Sequence, residues 1–77
     1  MISKELREEI RHAKLKNELE KGIDYYIEYA PIEELQEQFE WYGVNNIHNL
    51  KNIMYESYLE TYTDKELKER IKMLYEE

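Results

Sequence analysis

Glu9 and His12 are the first residues of this 77-residue chain whose types and spacing could do chemistry. Three positions apart on a helix, a carboxylate and an imidazole lie on one face. Carboxylate-bridged di-iron bundles use such Glu-x-x-His pairs, but they need two of them and two further Glu from other helices. Here there is one, because Asn45 rather than Glu stands three positions before His48. Neither His falls in an H-E-x-x-H frame, and without Cys there is no thiolate ligand and no disulfide. Nucleophilic catalysis needs a nucleophile, a base and an orienting group in contact. Ser3 and Ser57 are the only serines, and a helix cap and a helix surface account for them. No glycine-rich loop is present to cradle phosphate. Paired carboxylates are plentiful, but work on a glycosidic bond needs a cleft that a thin bundle does not supply. The expectation is a protein that is not an enzyme, with no metal and no cofactor, in which Glu9 and His12 belong to a solvated face.

The elements that would carry these residues are helices. Punctuation is sparse: Gly22, Pro31, Gly43 with Asn45 and Asn46, then Thr63. Ser3 is a good N-cap, and the first helix is expected to run from there to about Lys21. Its apolar residues form two patches. Ile2, Leu6, Ile10 and Ala13 share one face; Leu15, Leu19 and Ile23 share another, more than a quarter turn away at about 100° per residue. Both patches are expected on one core. Residues 24–30 alternate as a strand would, with Tyr25, Ile27 and Tyr29 against Asp24, Tyr26 and Glu28. No second strand is present to pair with, so a short helix or loop ending before Pro31 is expected.

Pro31 suits the first position of the next helix, with Ile32, Leu35, Phe39 and Tyr42 on its core face. Gly43 and Val44 make its stop signal. Asn45 or Asn46 caps a third helix that buries Ile47, Leu50, Met54 and Tyr58, with Ile53 beside them. Thr63-Asp64-Lys65-Glu66 is a capping box, and Leu67, Ile71, Leu74 and Tyr75 follow as the last buried face. The expected architecture is all-α: a small bundle of about four helices forming a single domain over residues 1–77.

Size and composition narrow the setting. A chain this short buries roughly 60% of the surface its unfolded form exposes, so its stability margin is thin. The N-terminus MISKELREEIRHAK carries charge throughout and lacks the apolar core of a signal peptide. No window approaches the roughly 20 apolar residues of a membrane span. A cytoplasmic protein without membrane contact is expected. Ten aromatics, with only two Gly and one Pro, argue against disorder despite the high charge.

Charge is unevenly distributed. Residues 1–21 carry six basic and five acidic side chains, residues 22–50 carry none and six, and residues 51–77 carry five and seven. Direct nucleic-acid binding needs clustered Lys or Arg. A helix-turn-helix reading of residues 46–60 fails on this point, with one Lys against two Glu. The middle third is both acidic and aromatic. On its helix, Glu33, Glu34, Glu37 and Glu40 form an outward strip with Trp41 near its edge. An ordinary surface helix mixes signs, because Glu–Lys pairs at i, i+4 add stability; the first and last helices do so and this one does not. Eight Tyr exceed the needs of so small a core, and Tyr is enriched at interfaces.

A negative strip beside aromatics complements a basic groove of the kind found in nucleic-acid-handling proteins. In size, charge and tyrosine content the chain resembles small acidic phage-encoded inhibitors, the DNA mimics and anti-CRISPR-type proteins. The resemblance implies a non-enzymatic inhibitor from a phage or mobile element, acting in a bacterial host. The charge and aromatic pattern itself, rather than the resemblance, sets the expected partner-binding residues: Asp24, Glu28, Glu33, Glu34, Glu37 and Glu40, with Tyr25, Tyr26, Tyr29 and Trp41 as anchors. The alternative is a structural or regulatory bundle subunit that assembles through apolar helix faces, with itself as a homo-oligomer or in a larger complex.

Overall fold

The computed structural model describes residues 3–76, which form α1 (Lys4–Tyr29), α2 (Ile32–Tyr42), α3 (Ile47–Thr61) and α4 (Asp64–Tyr75). No strand occurs among the described residues. The chain is all-α and folds as a small bundle of four helices.

Local chemistry sets most helix ends. The Ser3 hydroxyl accepts from the Leu6 N–H at 3.1 Å, opening α1. The Asn46 side chain accepts from the Asn49 N–H at 2.8 Å, opening α3. At α4 the capping box is complete: the Glu66 N–H donates to Thr63 Oγ1 at 3.4 Å, and the Thr63 N–H donates to Glu66 Oε1 at 3.2 Å. Such reciprocal bonds satisfy two helix-end N–H donors that otherwise lack partners. Gly43 ends α2 in the left-handed region at φ 69°, where its N–H and that of Val44 both reach the Phe39 carbonyl, at 2.9 and 3.1 Å. This is the glycine-terminated stop that the sequence signals.

α1 departs from expectation. It does not end near Lys21, and residues 24–30 are not a separate short helix or loop; α1 runs unbroken through Gly22 to Tyr29. Glycine inside a helix costs about 1 kcal/mol relative to alanine. That cost is outweighed by what continuation buries, namely Ile23, Tyr26 and Ile27. The helix stops at Ala30, whose ψ of 147° is the extended setting that a following proline imposes. Pro31 then serves as the N-cap of α2, one position before the first helical residue.

α1 is the spine of the bundle. Its 26 residues span about 39 Å at 1.5 Å per residue, in a molecule measuring 49 × 22 × 18 Å. α4 lies beside it in the same direction. His12 faces Asp64 at one end, and at the other Gly22 meets Leu74 while Tyr25 meets Tyr75. α3 runs the opposite way, starting near Asp24, which pairs with Lys51, and joining α4 through Tyr62 and Thr63. α2 packs chiefly on α3.

The buried core comprises Leu15, Leu19, Ile23, Tyr26 and Ile27 of α1, Leu50 and Met54 of α3, and Leu67, Ile71 and Leu74 of α4. α2 contributes no fully buried residue; Leu35, Phe39 and Tyr42 are half-buried against the core. Only the second apolar patch of α1 reaches this core. The first does not, for residues 3–14 are all exposed, including Leu6, Ile10 and Ala13. Ile2, the remaining member of that patch, lies outside the described residues. The reason is length: α4 begins opposite His12, so the first turns of α1 project past it.

Three other expected core residues are exposed: Ile32, Ile47 and Tyr75. Ile32 and Ile47 each open a helix. Helical side chains lean toward the N-terminus, so a first-turn residue reaches beyond the neighbour that packs the rest of its face. Among the described residues no helix is long and apolar enough to cross a membrane.

Candidate partner-binding face

α2 presents its outward surface because Leu35, Phe39 and Tyr42 hold the opposite one against the core. At about 100° per residue, Glu33, Glu37 and Glu40 stack on the exposed side, and all three are solvent-facing. Ile32 borders the row on one edge and Trp41 on the other, at 68% and 81% exposure. Trp41 is thus a large aromatic surface held in water beside three carboxylates. Burying such a ring is worth far more than leaving it exposed, and among the described residues none covers it.

The electrostatics sharpen the picture. Among the described residues Lys51 Nζ forms an ion pair with Asp24 Oδ1 at 2.9 Å, and His12 Nδ1 lies 3.5 Å from Asp64 Oδ1. Neither involves α2. Glu33 and Glu37 are like charges at i, i+4, an arrangement that slightly destabilises a helix on its own.

The ten expected site residues do not form one surface. Glu28, Glu33, Glu37 and Glu40 are exposed as expected, and so are Tyr29 and Trp41. Glu34 is half-buried, because it lies toward the packed side of α2. Asp24 is exposed but its charge is met by Lys51. That cation lies just past the Lys- and Arg-free stretch, where reading along the chain does not reveal the pairing. Tyr26 is a core residue at 5% exposure and is not available as an anchor. Its position i+3 from Ile23 was the signal, masked by reading residues 24–30 as a separate segment. Tyr25 is half-buried, its ring 4.6 Å from Tyr29 and 5.0 Å from Tyr75. These three rings form a second aromatic surface where α1 and α4 end. Sequence reasoning did not connect Tyr75 to it, and it placed Ile32 in the core rather than beside the acidic row.

On the packed side of α2, Tyr58 of α3 has its phenol pushed above the ordinary value of 10.0, first by burial and then by the nearby Tyr42 and Tyr62 phenols, with Arg70 pulling the other way. The Arg70 guanidinium sits 4.9 Å from the Tyr62 ring centre. These groups join α2 to the core and leave its outer face free.

An open groove of about 470 Å³ lies between α1 and α3, lined by Glu20, Ile23, Asp24, His48, Lys51, Asn52 and Tyr55. Four of its polar groups engage in pairs: Asp24 with Lys51, and the Asn52 amide 3.4 Å from His48 Nε2. His12 turns to Asp64. No group of three His, Cys, Asp or Glu among the described residues is placed to hold a metal ion. Compared with protein-family models, curated proteins and solved structures, the chain finds no match in any of the three.

Proposed function

We propose that this chain is a non-enzymatic protein-binding module whose α2 face occupies the basic surface of a nucleic-acid-handling protein. The observation that carries the reading is Trp41, 81% exposed, next to the unpaired row Glu33, Glu37 and Glu40. The carboxylates would present a row of negative charge in place of a nucleic-acid backbone and steer encounter with a cationic groove. Trp41, with Ile32 and Tyr29 nearby in sequence, would supply the buried area that charge alone does not. Such a module blocks nucleic-acid access, which makes it an inhibitor, of the kind phages and mobile elements deploy in the cytoplasm of a bacterial host.

The test compares three baits in bacterial extract: the wild-type chain, the triple variant Glu33→Lys/Glu37→Lys/Glu40→Lys, and Trp41→Ala. The wild-type chain is expected to retain a nucleic-acid-binding protein that DNA displaces and that salt releases. The triple variant should lose it, and Trp41→Ala should hold it about tenfold more weakly or worse. Retention of the same protein by the triple variant at low salt removes the acidic row from the mechanism.

A second reading, a structural or regulatory subunit assembling through apolar helix faces, is favoured by a separate observation. Leu6 and Ile10 stand 45% and 53% exposed on a helical arm that no other described helix covers.

A further inference from the structure

Two of the uncovered helical surfaces among the described residues are opposite in sign. The first is the projecting arm of α1. Leu6, Ile10 and Ala13 form its apolar seam at i, i+4, i+7, all exposed. Arg7, Arg11 and Lys14 follow each seam residue by one position, so a cationic row runs along one edge of the seam at the same spacing. Over residues 3–14 the arm carries four cations and three acids. The second surface is the outer face of α2. Glu33, Glu37 and Glu40 also recur at i, i+4, i+7, flanked by exposed Ile32 and Trp41, and α2 carries four acids and no cation.

The acidic row is unfavourable alone, because Glu33 and Glu37 are like charges four apart and such pairs cost helix stability; in the arm the like pair Arg7–Arg11 is partly offset by Glu8, three positions from Arg11 and four from Lys4. No ion pair inside the described molecule relieves either row. Each row offers charge to a surface of the opposite sign, and the other supplies one at the same axial spacing. The arm from Lys4 to Lys14 has the same length as α2, each about 16 Å.

We infer that the projecting arm of one copy docks on the outer face of α2 of a second copy. Charge selects this pairing among the three that two such surfaces allow. Arm on arm places net positive on net positive, and α2 on α2 places four carboxylates on four. Arm on α2 sets Arg7, Arg11 and Lys14 against Glu33, Glu37 and Glu40, and the Leu6–Ile10 seam, on one edge of the cationic row, meets the exposed apolar residue on the matching edge of the acidic row, Ile32 or Trp41 according to the direction of docking. A single helix-on-helix contact of this length is far below the roughly 800 Å² per partner of a stable interface. The association is therefore weak and salt-sensitive, and it strengthens if two copies exchange arms reciprocally, which doubles the buried area. The inference deepens the reading of assembly through exposed apolar residues and rests on it. It adds that docking covers the face assigned above to a basic partner, so self-association and partner binding compete.

The experiment uses the purified full chain and sedimentation equilibrium at low and high salt. The variants are Glu33→Lys/Glu37→Lys/Glu40→Lys and Arg7→Glu/Arg11→Glu/Lys14→Glu, with helical content checked by circular dichroism. The wild-type chain should associate with rising concentration at low salt and dissociate at high salt. Each triple variant alone should associate about tenfold more weakly, as loss of several exposed charge pairs implies. Mixing the two variants should restore association, since each then offers the other a complementary row. Restoration also shows that both variants are folded. Association that survives the α2 reversal would mean that arm pairs with arm, overturning the inference while keeping assembly through apolar faces. A monomer at every concentration would overturn both and leave the partner-binding proposal to its own test.

Discussion

The two halves of α1 are written in the same residues and have different fates. From Leu15 to Ile27, an apolar side chain every third or fourth position is buried, and Leu19 is fully enclosed. From Lys4 to Lys14, Leu6 and Ile10 recur at the same interval and stay in water. Helix propensity, capping and periodicity do not separate the halves. What separates them is where α4 starts: beyond His12 and Asp64 no second helix remains to pack against. Amphipathic spacing therefore states that a face wants cover, and only topology states whether the cover is internal. α2 makes the same point from the other end of the bundle, half-buried on one side and bare on the other.

Paired truncations should widen this contrast most. Leu19→Ala removes a fully enclosed side chain and is expected to cost about 3 kcal/mol, the usual transfer-plus-cavity penalty. Leu6→Ala, the same chemical change on the arm, should cost under about 0.5 kcal/mol. Chemical denaturation of dilute protein measures both. A comparable loss from Leu6→Ala would mean that the arm is covered even in the monomer. For a domain this small a loss of 3 kcal/mol is a large share of a total stability of roughly 5 kcal/mol, so Leu19→Ala should be partly unfolded at mildly raised temperature.

The next effect concerns the approach of α1 and α4, which allows the lower half to be buried. A Cβ at Gly22 would stand 3.3 Å from Leu74 Cδ1, 3.6 Å from the Tyr75 ring and 3.7 Å from Ile71. Gly22→Ala should therefore change stability by less than about 1 kcal/mol, the gain in helix propensity offsetting the tight contact. Gly22→Val adds two further methyl groups beyond that Cβ, on a helix face already tight against Leu74, and should cost about 2 kcal/mol. Thermal melts of the two variants check this. Equal melting of Gly22→Val and wild type would mean that α4 is not held against α1 at this level.

These residues also show how far the sequence could be read. Helix starts were legible because capping is local: Ser3, Asn46 and the Thr63–Glu66 box each act within a few residues. So was the stop at Gly43, which depends on one left-handed residue. Gly22 misled because its cost is local while its compensation, contact with Leu74 and Tyr75, comes from some 50 residues away. The acidic row of α2 was legible from the run of unmixed charge. The loss of Asp24 to Lys51 and of Tyr26 to the core was not, since both depend on how α3 and α4 return along α1. Surface charge reads from composition along one helix, but cancellation of that charge is a tertiary event.

The smallest effect is confined to alkaline pH, and it probes the join between the core and α2. Tyr58 lies half-buried on α3, its phenol raised above 10.0 by burial first and by the phenols of Tyr42 and Tyr62 next, against the pull of Arg70. A group raised in the folded state binds its proton more tightly there than in the unfolded chain. The folded state gains full benefit from neutral Tyr58 below the unfolded value of about 10. That benefit is lost as pH climbs from there through the raised folded value, where a phenolate must form in a desolvated site or the site must open. Tyr58→Phe removes this titration. Its stability should fall less steeply above pH 10 than that of the wild-type chain, with the two curves parallel at neutral pH. Tyr42 belongs to α2, so opening of the site should detach α2 before the three-helix core melts. Trp41 emission does not register that step well, because the indole is already in water. Amide exchange in α2, followed as pH is raised, does register it: early loss of protection in Ile32–Tyr42 with α1, α3 and α4 still protected is the expected result. Simultaneous loss in all four helices would mean that α2 is as firmly part of the core as its neighbours, and that its bare outer face is not the surface of a loosely attached element.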